Sequence, residues 1–375
     1  MKTTFLALLF LFVANCFSQQ TITDSIIHGG LNRTYILYVP ASYNASNATP
    51  LVLNFHGYTS NSTEQMYYGD FRAIADTANF ILVHPMGTLD GSNQPYWNSG
   101  WGGTVDDIGF TNALIDSLSA QYNINQDRVY STGMSNGGFM SYTLACSLSN
   151  RITAIASVTG AMNTNQSSSC SPQHPIPVME IHGTADGTVP YNGTAGISSV
   201  ENTLSYWVGF NQTNSSPVFT AVPNISTTDG STAEHYVYEN GTNGVEIEHY
   251  KIINGGHTWP GAPVVVGTTN YDFNASEKIW QFFAQYDING KITPTAITEN
   301  ELSKIAIYPN PVSNRLTIEN DEVIESMTIL DLTGKVLMNK TINFKTIDVS
   351  ILAKGVYFLK LKTKNRELVK KFVKE

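Results

Sequence analysis

The stretch Arg128-Val-Tyr-Ser-Thr-Gly133-Met-Ser135-Asn-Gly137-Gly138 constrains this chain more than any other. A short apolar strand runs into Gly-x-Ser-x-Gly and straight out into a helix-forming segment. That context turns a common five-residue pattern into a sharp strand-to-helix elbow. Such a turn holds Ser135 in a strained conformation, with its hydroxyl raised above the end of a sheet. Glycine is required at 133 and 137, because a side chain at either place would meet the neighbouring strand or helix. Ser135 is therefore a candidate nucleophile. The alternative is an ordinary Gly/Ser-rich turn, and the rest of the chain weighs against it.

A serine hydroxyl attacks poorly unless a base takes its proton and a carboxylate orients that base. Downstream, the apolar strand Pro177-Val-Met-Glu-Ile-His182 ends in a Gly turn, with Asp186 just past it. Glu248-His-Tyr-Lys-Ile-Ile-Asn-Gly-Gly-His257 repeats the design, a strand ending in a Gly-rich loop that carries His257. In open parallel sheets, ligands lie outside the carboxyl ends of the strands. All three candidates fall at such ends, so the expected assignment is Ser135 as nucleophile, His257 as base and Asp186 as orienting acid. The competitors fit less well. His28, His174, His235 and His249 lie in strands or polar loops without a Gly-turn setting. His84 and His182 end strands near the site and read as structural, with a supporting polar role as the alternative. Asp106 and Asp107 precede the serine, and Asp272 follows the histidine.

A developing oxyanion is held best by backbone N–H groups. One donor is expected from Asn136, the residue after the nucleophile. The second is expected from Tyr58, in the His56-Gly57-Tyr58 turn after the buried-type strand Leu51-Val-Leu-Asn-Phe55. His56 reads as a brace for that turn.

Around these motifs, strands and helices alternate. A Gly29-Gly30 hairpin opens the chain, joining residues 21–28 to 31–39. Strands follow at 51–55, 80–84, 128–133, 154–159, 178–183 and 246–253, and helices at 71–78, 111–122, 138–148, 200–210 and 275–286. Alternation of this kind predicts an α/β fold, a mostly parallel sheet with helices on both faces. The long segment from Met86 to Asp106 carries Trp97 and Trp101 among Gly, Asn and Ser, as functional loops tend to do. Those two, with Trp207 and Trp259, are the candidate substrate-binding aromatics. No long insertion separates Thr159 from Pro177, so an open cleft is expected, one that suits polymeric or bulky substrates.

Phe55-His-Gly, Trp101-Gly-Gly-Thr-Val-Asp-Asp-Ile-Gly-Phe110, Gly133-Met-Ser-Asn-Gly-Gly138, His182-Gly-Thr-Ala-Asp186 and Gly256-His-Thr-Trp-Pro-Gly261 together resemble the secreted esterases that join polyhydroxybutyrate depolymerases to feruloyl and acetyl-xylan esterases. The resemblance runs from about Leu31 to Tyr286. It implies an α/β-hydrolase fold and the same Ser135, Asp186 and His257. Many members carry Cys after the His-Gly pair, where this chain has Tyr58.

Composition agrees with a full core and an exported protein. Hydrophobic residues make up 42% of the 375, and only 14% are charged. Lys2 followed by the apolar run Phe5 to Val13 reads as a signal peptide over residues 1–19. Its removal leaves Cys146 and Cys170, an even pair that reads as a disulfide in an exported chain. The hydrolase domain is expected over 20–288 and a linker over 289–300. From Glu301 onward the charge changes sign: thirteen Lys/Arg against nine Asp/Glu, while the whole chain stands at −9. Short alternating strands there predict a separate β-sandwich-like module over 301–375. Ile307-Tyr-Pro-Asn-Pro-Val312, Asp331-Leu-Thr-Gly-Lys335 and Lys354-Gly-Val-Tyr-Phe-Leu-Lys360 resemble the C-terminal sorting domain of type IX secretion. That resemblance implies the secretion machinery as a partner, passage through the periplasm, and release or attachment at the cell surface.

The function expected from the whole is a secreted serine carboxylester hydrolase. It would act on feruloyl or acetyl esters of plant polysaccharide, or on polyhydroxyalkanoate. The alternatives are an aromatic polyester or small-ester hydrolase, a peptidase, and a non-catalytic binding protein on the same fold. No metal or organic cofactor is expected, because no Cys/His/Asp cluster shows ligand spacing. The Lys-rich end lacks interleaved stacking residues, so nucleic acid is not an expected partner. No run after the signal peptide is long enough to span a bilayer, so stable membrane insertion is not expected.

Overall fold

Near-continuous apolar runs such as Leu51-Val-Leu and Ile81-Leu-Val are what strands covered on both faces require, and they form the centre of the sheet. The computed structural model describes residues 19–292, 305–320, 324–331, 335–341, 345–363 and 367–375. Residues 1–18 of the expected signal peptide and most of the expected linker lie outside these. The chain divides into two units, one ending at Ile292 and the other beginning at Thr293.

The first unit carries a ten-stranded sheet. Its centre is β4 (Ile81–Pro85), β3 (Thr49–Phe55), β7 (Ile124–Met134), β8 (Ala154–Val158), β9 (Val178–Gly183) and β12 (Ile247–Ile253), all parallel in that spatial order. Antiparallel strands flank this core. β1 (Gln20–His28) and β2 (Leu31–Val39) extend it beyond β4, and β11 (Thr232–Tyr238) and β10 (Val218–Ala221) extend it beyond β12. A short hairpin, β5 (Thr88–Leu89) with β6 (Pro95–Tyr96), lies within the long loop after β4, and β13 (Tyr286–Asp287) pairs with β14 (Gly290–Lys291).

Side-chain alternation along the strands feeds two cores, one on each face. Leu51, Leu53 and Phe55 join Phe110 and Leu114 of α3 (Asp107–Gln121), Met140 and Leu144 of α4 (Asn136–Ser147), and Leu204 of α6 (Val200–Asn211). Val52 points the other way, to Ala75 of α2 (Arg72–Ala78) and to Ile279, Phe282 and Phe283 of α7 (Ala275–Phe283). This is the mostly parallel, doubly covered α/β sheet that the alternation predicts. Several elements go beyond the sequence reading, among them one helix and two edge strands. Residues 62–68 form α1 (Ser62–Tyr68), capped by the Asn61 side chain accepting from the Glu64 N–H. The edge strands β10 and β11 were also not foreseen, because their mixed polar pattern lacks a buried-strand run.

The second unit is all antiparallel. One sheet holds β15 (Ile305–Tyr308), β16 (Arg315–Asn320) and β19 (Thr346–Asp348). The other holds β18 (Val336–Thr341), β17 (Ile324–Leu330), β20 (Gly355–Thr363) and β21 (Glu367–Lys374). Leu316, Ile318 and Ile347 of the first pack with Met327, Ile329, Leu359, Leu361 and Phe372 of the second in one core, the arrangement of a β-sandwich.

Cys146, near the end of α4, is joined to Cys170, just after α5 (Gln166–Ser169). The bond closes a segment of sequence separation 24, which on the chain-entropy account contributes about 3 kcal/mol. Cys146→Ser/Cys170→Ser is therefore expected to melt at clearly lower temperature in calorimetry, and a melting temperature unchanged by reduction would count against that contribution.

Candidate active site

Three carboxyl ends of parallel strands converge on one cleft. β7 runs directly into α4 through Ser135, whose φ of 55° and ψ of −119° lie far from helix or strand. A non-glycine residue at positive φ carries strain of about 1–3 kcal/mol and persists only where its surroundings impose it. The imposing contacts are visible. A Cβ at Gly133 would come within 2.6 Å of both the Phe55 carbonyl oxygen and Gly137, and a Cβ at Gly137 would collide with the Phe55 carbonyl. Only glycine on both sides lets β3, β7 and α4 meet so closely. The Ser135 N–H is tied to the Val158 carbonyl at 2.8 Å.

Asp186 follows β9 and His257 follows β12. His257 Nδ1 lies 2.7 Å from Asp186 Oδ2. Since the carboxylate can only accept, Nδ1–H donates, leaving Nε2 free of that bond. The second carboxylate oxygen of Asp186, Oδ1, accepts the N–H groups of Thr188 and Val189, each at 2.8 Å. Burial opposes ionisation of Asp186, but the hydrogen bonds from His182, His257 and Val189 outweigh it and hold the carboxyl well below the usual range. Ser135 and His257 line the same cavity of about 550 Å³. No hydrogen bond joins them here; such bonds often close only when substrate is present.

The loop after β3 is pinned by polar contacts that the sequence reading only partly anticipates. His56 Nδ1–H donates to the Gly57 carbonyl at 2.7 Å, and Nε2 accepts the Gly87 N–H at 3.0 Å. The indole N–H of Trp97 donates to the His56 carbonyl at 3.0 Å. Asn136 holds the same loop system through its side chain: Oδ1 accepts the Trp97 N–H at 2.6 Å, and Nδ2 donates to Ser99 Oγ at 3.0 Å. Among the described residues, the backbone N–H groups of Tyr58 and Asn136 have no acceptor. Asp107 is buried against Arg33 at 2.6 Å and accepts the Asn98 N–H at 2.7 Å, anchoring the base of the long loop. Asp106 caps α3 and meets His28 at 3.1 Å.

The four candidate tryptophans separate. Trp101 is half exposed, and with Tyr96 and Asp90 it lines a second cavity of about 350 Å³ that Ser135 also borders. Trp207 is corrected to a core residue: it is fully buried on α6 among Tyr142, Tyr206 and Phe210. Trp259 is likewise core, edge-on to Phe71 with its indole N–H on Ser276. The Trp97 ring is also buried, edge-on to Phe55, so this residue shapes the wall of the second cavity without offering a free face. The larger cavity is walled instead by Tyr67, Tyr68, Met134, Val264 and Val266, and Tyr58 borders both cavities. Of these residues the sequence reading singles out Tyr58 alone, and that for its backbone N–H. The Asn61-x-x-Glu64 cap was the available sign that Tyr67 and Tyr68 share a helix.

These features define an α/β-hydrolase-fold unit with Ser135, Asp186 and His257 at the ends of its parallel strands, followed by a separate β-sandwich unit. Residues 42–205 match the family described as Phospholipase/Carboxylesterase, and residues 306–375 match Secretion system C-terminal sorting domain. In sequence the chain is 27% identical over 274 residues to a bifunctional acetylxylan esterase/xylanase of Neocallimastix patriciarum, covering 73% of this chain and 36% of that protein. It is 32% identical over 195 residues to a probable feruloyl esterase C of Aspergillus clavatus, covering 49% of this chain and 65% of that protein. The matches thus span less than two thirds of either relative. An acetyl xylan esterase from Aspergillus awamori shares the fold, with a TM-score of 0.52 at 16% identity over 72% of this chain and 99% of that one. The first unit thus has an α/β-hydrolase fold and is similar in sequence to esterases, and residues 306–375 are similar to secretion sorting domains.

Burial pushes His56 down to about 4, and His84 and His249 down to about 3. An unfolded histidine takes its proton near pH 6.5, so below that the unfolded chain binds more protons than the folded one. These groups therefore lose the fold stability as pH drops from about 6.5 toward 3. The melting temperature of the hydrolase unit is expected to fall across that window in calorimetric scans; a value constant from pH 7 to 4 would show that these imidazoles are not held neutral.

Proposed function

We propose that this protein is a secreted serine carboxylester hydrolase acting by an acyl-enzyme mechanism. The observation that carries the reading is the 2.7 Å His257–Asp186 bond at a cavity that Ser135 also lines from its strained elbow. Ser135 Oγ attacks the ester carbonyl carbon as its proton passes to His257 Nε2. The oxyanion is held by the unpartnered N–H groups of Tyr58 and Asn136, and Asp186 stabilises the imidazolium. His257 then delivers the proton to the departing alcohol oxygen. Water, deprotonated by the same nitrogen, attacks the acyl-serine, and the acid leaves with Ser135 restored.

The cleft supports a bulky ester. A cavity of about 550 Å³ walled by tyrosine, methionine and valine far exceeds what an acetyl group fills and suits an aromatic acyl group. The half-exposed Trp101 beside Asp90 and Tyr96 offers a ring face and polar groups to a sugar in the second cavity, which Ser135 also borders. Feruloyl esters of plant polysaccharide are therefore the first reading, in keeping with relatives named feruloyl esterase. The apolar walls of the larger cavity keep polyhydroxyalkanoate as the second. The sorting-domain match over residues 306–375 supports export through the periplasm and release or surface attachment, beginning from the signal peptide read at residues 1–19.

Product release from feruloylated arabinoxylan, acetyl-xylan and amorphous polyhydroxybutyrate, measured side by side, tests the substrate. Ferulate is the expected product, and Ser135→Ala should lower kcat/KM on the order of 10⁴-fold or more. Retained turnover in that variant would refute the mechanism, and hydroxybutyrate release without ferulate would favour the second reading. A chain truncated after residue 300 is expected to accumulate in the periplasm, and its normal appearance outside the cell would exclude a sorting role for the tail.

A further inference from the structure

Two buried side chains under the triad have no part in the mechanism above. Glu180 and His182 alternate along β9, lie on one face of it, and are fully buried. His182 Nδ1 is 2.8 Å from Glu180 Oε1, and its Nε2 is 2.8 Å from the Val189 carbonyl and 3.4 Å from Asp186 Oδ2. Burial raises the Glu180 carboxyl against the hydrogen bonds from His182 and Tyr142 that favour its charge; with it ionised, every one of these partners is an acceptor. A neutral imidazole has one donor and would leave one of them facing a lone pair, so both nitrogens carry hydrogen. Glu180 is held in turn by the Tyr142 hydroxyl of α4, at 2.7 Å from Oε2. The result is a continuous chain from Tyr142 through Glu180, His182 and Asp186 to His257, with Asp186 Oδ2 shared by two imidazoles.

We propose that Glu180 and His182 form a permanently ionised pair, and that the His182 cation is a positioning residue which partly compensates the Asp186 carboxylate seen by His257. The inference rests on the esterase reading and adds to it a second, buried histidine behind the acid. The other groups packed around His182 do not supply this charge. Tyr191 stands edge-on at 5.9 Å, and His249 of β12 bonds the Glu180 carbonyl at 3.0 Å. Glu201 and Lys251, 4.0 Å apart, approach Tyr191 through its hydroxyl and its ring face. Burial pulls the His182 imidazolium toward neutrality, but its hydrogen bonds to Asp186 and Glu180 prevail and raise it to about 10. Burial first, helped by the charges of His182, Lys251 and His235, drives His249 down to about 3, so on that side stands a neutral ring.

With the cation removed, Asp186 faces His257 less compensated, and protonated His257 gains stability. In His182→Gln the acid limb of the kcat/KM–pH profile should therefore move to higher pH by about one unit. Because this variant strands the Glu180 carboxylate in the core and risks unfolding, Glu180→Gln/His182→Gln is measured beside it. Removing both partners leaves no buried charge unpaired. The double variant should fold and show a limb displaced in the same direction by a smaller amount, which a purely structural pair would not produce. Independently of turnover, the full chain labelled at histidine carbons should show by NMR one imidazolium still protonated at pH 8, absent in His182→Gln.

A neutral His182 at pH 8, or an unmoved acid limb in the folded double variant, overturns the proposal. Loss of the esterase reading looks different: the parent chain would then show no hydrolysis sensitive to Ser135→Ala, while the His182 resonance would still decide the ion pair.

Discussion

The site depends on one close approach, that of the Gly133 and Gly137 backbones to the Phe55 carbonyl. The end of β3, the end of β7 and the start of α4 meet there with no room for a Cβ. Because they meet, Ser135 is forced to positive φ, and the N–H groups of Tyr58 and Asn136 are left without partners beside it. The strain at Ser135 and the two unpaired donors share one origin. Each would cost stability in isolation, and the doubly covered sheet around them holds them in place.

A second layer is electrostatic, and it uses histidine in two opposite ways. His56 is kept neutral by burial and holds two loops through one donor and one acceptor nitrogen. His182, equally buried, faces acceptors at both nitrogens and is held protonated. The difference lies in the partners, a carbonyl and an N–H in one case, carboxylates and a carbonyl in the other. Two histidines that look alike as strand-end residues thus take opposite charge states. The polar pins at Asn136, Asp107 and Trp97 extend this layer over the long loop, so that the wall holding Trp101 is attached to the base of the nucleophile helix.

How much was legible follows the kind of signal. Gly133 and Gly137 speak for themselves, because only glycine tolerates such an approach. The strands at 51–55 and 178–183 are readable because burial on both faces demands unbroken apolar runs. Trp207 and Trp259 were misread as substrate aromatics, since a tryptophan in a core and one in a cleft have the same letter and differ only in what packs on the ring. Tyr67 and Tyr68 were overlooked for a related reason. The short helix that presents them is defined more by the Asn61 cap than by any apolar periodicity.

By itself, the sequence determined the α/β alternation, the elbow at Ser135 and the order of Ser135, Asp186 and His257, because each rests on local backbone demands or chain order. It also determined the change of character after residue 300, since charge and strand pattern are additive along the chain. Only the tertiary structure decided that Asp186 Oδ2 lies 2.7 Å from His257 and 3.4 Å from His182, and that one of the four candidate tryptophans offers a free face. Those facts depend on residues dozens of positions apart, brought together by strand order in the sheet, and no local pattern encodes such distances.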